Sequence, residues 1–389
     1  MSKPPEPPKR GITEPPTGNV IKGPREGFIE DYDTNIQLLK RRLKTKDLEI
    51  VELTVGRYTQ TRVGVVYISS IADKDVTDKV LQRIRDIDID GIVDSYYITQ
   101  FLQDENVKLF KQVGSDEKPD IITAKLLEGR VAIFVDGSPF VLTVPYIILE
   151  DIQQSNDYYS SSANVSLRRF IRIAGAFISI FLPGFYIAVQ LYHSGIVPIS
   201  MLITITNTLE NTPFSPMLEV LFVLLLFEIL FEASLHLPKS LGSTLGIVGA
   251  LILGDTAIKS GLVSPPAVLV AAMSIITMYI ITDLSPQVSL LRFFFALIGG
   301  ILGLFGLIIG AVLLVVYLTG LDSFGAPYLA PYAPYIKEDT KDGLVKAPVN
   351  AMLTRPKSIP NINLVRAKRK NTGTHKPSGQ SASKKAGDK

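Results

Sequence analysis

Val288–Thr319 reads VSLLRFFFALIGGILGLFGLIIGAVLLVVYLT, a run in which Arg292 is the one charged residue. As a single helix it would be about 48 Å long, against a hydrocarbon core of about 30 Å. It is very long for one crossing. Gly299, Gly303, Gly306 and Gly310 recur along one narrow face of such a helix. Small residues at that spacing let helix backbones approach closely in lipid. Arg292 marks the start of the segment.

Moving toward the N-terminus, further apolar runs follow in quick succession. Pro265–Thr282 is one span, ending at Asp283. Leu241–Gly261 is another, after Pro238, with Gly242, Gly246 and Gly249 on one face. Met217–Leu237 is the most informative helix. Glu228, Glu232 and His236 fall at i, i+4 and i+8 and share a face, while Glu219 sits about 180° away. Ionisable groups at membrane depth are expensive and face a cavity, a partner or water. Three readings stand: a polar stripe lining a pore, ion path or subunit contact, a hydrogen-bond network between helices, or a helix that lies shallow. Gly195–Pro213 is short and polar-ended, with Asn207 and Glu210 among its polar residues; it either re-enters the membrane and lines a cavity or crosses as a short span. Ile173–Tyr192 is the first span. Pro183-Gly184 near its middle predicts a kink. Arg168, Arg169 and Arg172 precede it, and the positive-inside rule places that end in the cytoplasm. Counting every run gives six crossings and a cytoplasmic C-terminus; five remain if Gly195–Pro213 does not cross.

Residues 25–165 read as a soluble α/β domain. Asp33–Leu43 is a helix with Asp31 or Asp33 as cap, and Asp73–Ile87 repeats Val76, Val80, Ile84 and Ile87 at helical spacing. Pro119–Leu127 is a third helix, with Pro at its first turn. Thr99–Gln103 is a short helical turn. Leu48–Val55, Arg62–Ile68, Val131–Val135 and Phe140–Val144 are strands, and Ile92–Val93 is a short fifth. Asp136-Gly137-Ser138-Pro139 makes a hairpin turn. Helices alternating with strands predict a mixed sheet. The expected fold class is an α/β soluble N-terminal domain followed by an all-α polytopic transmembrane domain. Residues 1–24 form a Pro-rich extended lead-in, 166–321 hold five to six spans, and 322–389 form a polar, basic, largely disordered tail.

Composition excludes several functions. The net charge of +3 is too small to suggest nucleic acid. The absence of Cys removes disulfides and thiolate chemistry, and three scattered His residues make no typical metal site. Asp86, Asp88, Asp90 and Gly91 imitate a calcium loop, but its twelfth position is Tyr97 rather than Glu. No cofactor, metal ligand or catalytic constellation is implied, and the chain reads as a non-enzyme. The N-terminus has no apolar core of a cleaved signal.

Several ordered stretches then point one way. They are Gly23-Pro24-Arg25-Glu26-Gly27-Phe28-Ile29-Glu30-Asp31 with Asn35 and Lys40-Arg41-Arg42, Lys118-Pro119-Asp120, and Leu127-Glu128-Gly129-Arg130-Val131-Ala132. Asp136-Gly137-Ser138-Pro139-Phe140 and Asp157-Tyr158-Tyr159 follow. In the apolar half come Pro213-Phe214, Glu219, Glu228, Glu232-Ala233, Leu237-Pro238, Val248-Gly249-Ala250, Ser323-Phe324-Gly325 and Pro327-Tyr328. Together, from about Thr13 to Tyr335, they resemble the A-subunit family of bacterial spore germinant receptors. The chain departs from that pattern at Lys118, Phe231 and His236. Family members usually carry a further soluble subdomain before the Gly-Pro-Arg stretch, so a shortened or split form is expected. The resemblance implies a multi-pass subunit of the spore inner membrane with a cytoplasmic N-terminal domain. It also implies an integral-membrane B subunit and a lipoprotein C subunit as partners, and homo-oligomerisation around an ion-conducting path during germination. The competing class is a secondary transporter of a small solute or ion, which Pro183-Gly184 and Gly195–Pro213 would suit, although no inverted repeat is visible.

Overall fold

A computed structural model of the chain describes residues 11, 22–104, 109–200, 202–203, 205, 212–236 and 254–367. Of the residues singled out above, Asn207, Glu210, Leu237, Pro238, Gly242, Gly246, Val248, Gly249 and Ala250 lie outside these, as do most of the lead-in and parts of the runs 195–213 and 241–261.

The α/β domain opens with α1 (Tyr32–Arg42). Its cap is Asp31, whose carboxylate accepts from the Thr34 amide at 2.9 Å, and its basic last turn complements the helix dipole. Then come β1 (Leu48–Val55), β2 (Thr61–Ile68), α2 (Lys74–Arg85), α3 (Ser95–Leu102), β3 (Gly114–Asp116), α4 (Pro119–Leu127), β4 (Val131–Val135), β5 (Val141–Val144) and the short α5 (Leu149–Ile152). The strands lie in the order β1-β2-β4-β5-β3, and every neighbouring pair is antiparallel. The expected mixed sheet is therefore corrected. β3 and β4 do run the same way with α4 between them, but β5 inserts between the two, so no parallel pair shares hydrogen bonds. Ile92–Val93 is not a strand, and the turn at Thr99–Gln103 belongs to the longer α3.

Strand alternation divides the core in two. Val63, Val65, Val131, Ile133 and Val135 pack under α2 and α3, against Val80, Ile84, Ile98 and Leu102. Val66, Ile68, Ala132 and Phe134 pack under α1 and α4, against Leu38, Leu39, Ile122 and Leu126.

Beyond a turn at Ser155–Tyr159 comes the helical bundle: α6 (Ser162–Tyr192), α7 (Pro216–Leu235), α8 (Pro265–Met278) and α9 (Ser285–Thr319). Among the described residues, two helical stretches are long and apolar enough to cross a membrane, Ser162–Tyr192 and Pro265–Thr319. α6 runs through Pro183 as one continuous helix. Its Gly184 meets Gly299, where an added Cβ would lie 2.9 Å from the Gly184 Cα. Only glycine allows the two backbones to touch there.

The long run Val288–Thr319 is not one straight helix. Gly303 has φ 64° and ψ −153°, and the chain reverses there. A Cβ on Gly310 would meet the Phe295 ring at 2.9 Å, whereas residues that far apart in a straight helix would be separated by about 22 Å. α9 is thus a hairpin of two antiparallel arms. The expected single glycine face is corrected accordingly: Gly299 faces α6, Gly303 makes the turn, and Gly306 and Gly310 face Ile298 and Phe295 of the opposite arm.

The bundle has an end beside the α/β domain and an end away from it. At the distal end the Tyr192 hydroxyl donates to the Gly300 carbonyl at 2.9 Å, and Met217 packs on Gly300. At the near end the Gln112 amide donates to the Asp322 carbonyl at 2.8 Å, and Ser323 Oγ accepts from the Tyr146 amide at 2.9 Å. Residues 322–367, expected as part of a largely disordered tail, instead pack back on the α/β domain. The Ile362 amide donates to the Ile71 carbonyl at 2.9 Å, and the Arg355 guanidinium to the Leu127 carbonyl at 2.6 Å. Polar composition misled there because these bonds are made with segments far away in sequence. Residues 368–389 lie outside the described residues.

Candidate functional site in the bundle and at its junction

The polar face expected on α7 is divided in two. Glu228 turns toward α9. Its Oε2 accepts from Arg292 Nη2 at 2.7 Å and its Oε1 from Ser289 Oγ at 2.8 Å. The Arg292 side chain is 0% exposed and that of Glu228 34%. Glu232 and His236 stand on the outer surface, 68% and 77% exposed, with His236 Nε2 3.2 Å from Glu232 Oε1. Ile229 and Leu225, about one and two turns before Glu232 on the same helix, are exposed too, so this ionisable pair borders an apolar surface. Glu219, on the opposite face, is completely buried at the distal end. Its Oε1 accepts from the Ser264 amide at the start of α8, and its Oε2 has no hydrogen-bond partner among the described residues. α7 thus contributes a half-buried carboxylate paired with a buried arginine, a buried carboxylate capping a neighbouring helix, and an exposed pair.

The junction between domain and bundle is the second polar site. Asp157 is fully buried. Arg172 grips it with two bonds, Nη1 to Oδ2 at 2.7 Å and Nη2 to Oδ1 at 3.0 Å, while Arg169 Nε reaches Oδ2 at 3.2 Å. Burial pushes the Asp157 carboxyl up, but Arg172 and Arg169 outweigh it and hold it below the usual carboxylate range. Arg169 also bridges to Asp342 at 3.0 Å, Tyr158 donates to the same carboxylate at 2.9 Å, and Lys346 donates to the Asp157 carbonyl at 2.5 Å. Three segments are tied here: the turn before α6, α6 itself and the chain returning after α9. Arg169 and Arg172 therefore do not serve as free cations at a lipid surface; of the three arginines, Arg168 alone is exposed. The i, i+3 spacing of Arg169 and Arg172, a few turns after the acidic-aromatic Asp157-Tyr158-Tyr159, is the available signal, but it does not reveal Asp342 or Lys346. Nearby, Asp151 is buried, bridges to Lys111 at 2.5 Å and accepts from the Tyr146 hydroxyl. Burial pushes its carboxyl up to about 6 despite Lys111.

Among the described residues, no group of three or more His, Asp or Glu side chains is arranged to hold a metal ion.

Over residues 2–358 the chain matches the family model described as Bacillus/Clostridium GerA spore germination protein. The chain belongs to the GerA family. It is 38% identical to spore germination protein KA of Bacillus subtilis, covering 92% of this chain and 66% of that protein. It is also 38% identical to the uncharacterized membrane protein YfkQ of the same organism, over 90% and 68%. Spore germination protein A1 of Bacillus subtilis is 34% identical, over 91% and 73%. The chain thus spans about two thirds of the length of KA and YfkQ. A solved structure, the N-terminal domain of the A subunit of the Bacillus megaterium spore germinant receptor GerK3, is 40% identical. It covers 31% of this chain and 97% of that chain, with a TM-score of 0.27.

The stretches that carry the GerA resemblance gather around the chain's entry to the domain. Asn35 is buried and bonds both ways with Ile29, accepting from its amide at 2.9 Å and donating to its carbonyl at 2.5 Å. Arg42 bridges to Glu26 at 3.1 Å. Gly23, at φ +126°, lies under the Tyr159 ring, where a Cβ would stand 2.6 Å from Cε2. The Tyr159 hydroxyl in turn donates to Asp120 at 2.6 Å. At the hairpin, the Gly137 amide donates to the Glu30 carbonyl at 2.9 Å. Four separate motifs of the GerA pattern are thus one connected structure ending at the junction.

Proposed function

We propose that this GerA-family chain is an integral-membrane subunit of a nutrient germinant receptor, with its α/β domain cytoplasmic, and that it oligomerises so that the exposed face of α7 lines or gates a cation path. The observation that carries this reading is the Glu232–His236 pair on an apolar outer surface. An ionisable pair on an apolar helix face is costly to leave against lipid, so such a group is covered by another subunit or faces water. Carboxylates lining a path would favour cations.

Chain direction supports a multi-pass arrangement. α6 runs from the near end to the distal end, α7 returns, and α9 goes out and back. α8 also runs from the distal to the near end. Counting the link between α7 and α8 as one further crossing gives six, which agrees with residues 322–367 lying on the side of the α/β domain. The junction offers a mechanical route. A shift of the domain pulls α6 through Asp157, Asp342 and Lys346, and α6 bears directly on α9 at Gly184 and Gly299. Arg292 then carries the displacement from α9 to α7.

As implied for the family, the partners are an integral-membrane B subunit and a lipoprotein C subunit in the spore inner membrane. Reconstitution of the three together tests the proposal. The expected result is a cation current that opens on adding germinant and vanishes when this chain is omitted. Solute uptake in fixed proportion to coupled ions, with no such current, would overturn it in favour of a secondary transporter.

A further inference from the structure

α3 turns an unusual face outward. Ile98 and Leu102 are buried in the core, whereas Tyr96, Tyr97 and Phe101 are exposed, as is Val93 just before the helix. Tyr58, 84% exposed, is tied by its amide to the Asp90 carbonyl at 2.8 Å, three residues before Val93. The patch is aromatic and free of Lys, Arg and Glu, the composition found at the centre of protein interfaces. Its margin is acidic: Asp90 is 76% exposed, and its nearest cation, Arg57, lies 4.0 Å away and is already bound to Asp88 at 2.5 Å. Neither α2 nor the sheet covers this face.

The sequence holds a segment of matching chemistry. Lys3-Pro4-Pro5-Glu6-Pro7-Pro8-Lys9-Arg10 has proline pairs at a three-residue repeat between basic ends. Prolines at this spacing pre-form a polyproline II helix, with little entropy left to lose on binding, and such helices dock on exposed aromatic rings. Lys9 and Arg10 complement the acidic margin. Reach is sufficient. Fourteen residues separate Pro8 from Lys22; a chain of that length in polyproline II spans about 43 Å at 3.1 Å per residue, and a domain of about 140 residues has a radius of gyration near 14 Å. The lead-in can therefore pass from Gly23, on the α1 and α4 side, around to α3.

We propose that residues 3–10 of this chain dock on the face of α3 formed by Tyr96, Tyr97 and Phe101, strapping the lead-in to the domain. This stands independently of ion conduction, because the patch lies on the outer face of the α/β domain. The test uses the full chain in detergent with a photoreactive benzophenone amino acid in place of Tyr97. Cross-links to residues 3–10 are expected, and their yield should fall about tenfold, the factor that about 1.4 kcal/mol brings, when Pro4, Pro5, Pro7 and Pro8 are all changed to alanine. In parallel, Tyr96→Ser/Phe101→Ser should speed tryptic cleavage at Lys9 and Arg10 by a similar factor; both side chains are exposed, so folding is preserved. Cross-links to α3 of a second copy, to detergent or lipid, or to residues 3–10 at a yield indifferent to the proline changes would each overturn the proposal. So would cleavage at Lys9 and Arg10 at an unchanged rate.

Discussion

Removing the charge of Glu228 should cost more than removing the whole Glu228–Arg292 pair. The Arg292 guanidinium is 0% exposed, and Glu228 is its one carboxylate partner within 4 Å among the described residues. Glu228→Gln keeps the volume and a hydrogen-bond acceptor for Ser289 but leaves a buried cation without a counter-charge. Breaking one partner of a buried pair costs about 3–5 kcal/mol. Glu228 is itself 34% exposed, so water relieves part of this and the lower end, about 3 kcal/mol, is expected. That corresponds to a fall of about 6–12 °C in melting midpoint for a domain of this size. The double variant Glu228→Gln/Arg292→Met removes the stranded charge and should recover most of the loss. The assay is thermal melting of the detergent-solubilised chain followed by size-exclusion chromatography. A single variant that melts like the parent, or a double variant no better than the single, would refute the reasoning and return Glu228 to the role of a free pore carboxylate.

Three further outcomes are expected. Gly303→Ala should destabilise the bundle by about 1–3 kcal/mol, because its backbone lies in a region essentially confined to glycine; an unchanged melting midpoint would show that α9 does not turn there. Asp157→Asn should loosen the junction by about 3 kcal/mol or more and expose residues 342–346 to protease, since Arg169 and Arg172 lose their shared carboxylate; unaltered digestion would remove the junction from the account. The Asp151 carboxyl, raised from 3.8 to about 6, binds a proton in the folded state that it has released in the unfolded one. Its stabilising contribution is therefore complete below about pH 4 and lost as pH rises through about 6. Asp151→Asn should flatten the stability profile over that window, and a profile as steep as the parent's would contradict this.

Local features were legible in the sequence where one segment determined them. β1, β4 and α4 were bounded correctly because β-branched runs, the Pro at the start of α4 and the Asp136-Gly137 turn act within a few residues. β3 was missed because Gly114-Ser115-Asp116 has no strand pattern and is a strand only through its pairing with β5. The antiparallel sheet likewise depends on where β5 inserts. Arg169 and Arg172 enter the sequence reading only as basic residues before the first span, since nothing near them in sequence shows that Asp342 and Lys346 return to the same place. On α7, helical spacing correctly put Glu219 opposite Glu228, but it does not distinguish a carboxylate bound to Arg292 from one on the outer surface. Gly303 illustrates the same limit. Its spacing fits a packing face, and only its φ and ψ reveal a turn.

The central claim is that the exposed end of α7 serves a cation path. The measurement that bears on it most directly is ion flux through the assembled receptor, reconstituted at matched protein level, with Glu232→Gln in this chain. Glu232 is 68% exposed and its ion-pair partner among the described residues is the likewise exposed His236, so the variant should assemble normally. The account predicts slower cation release and a weaker preference for cations over anions. Full flux with unchanged selectivity would contradict it.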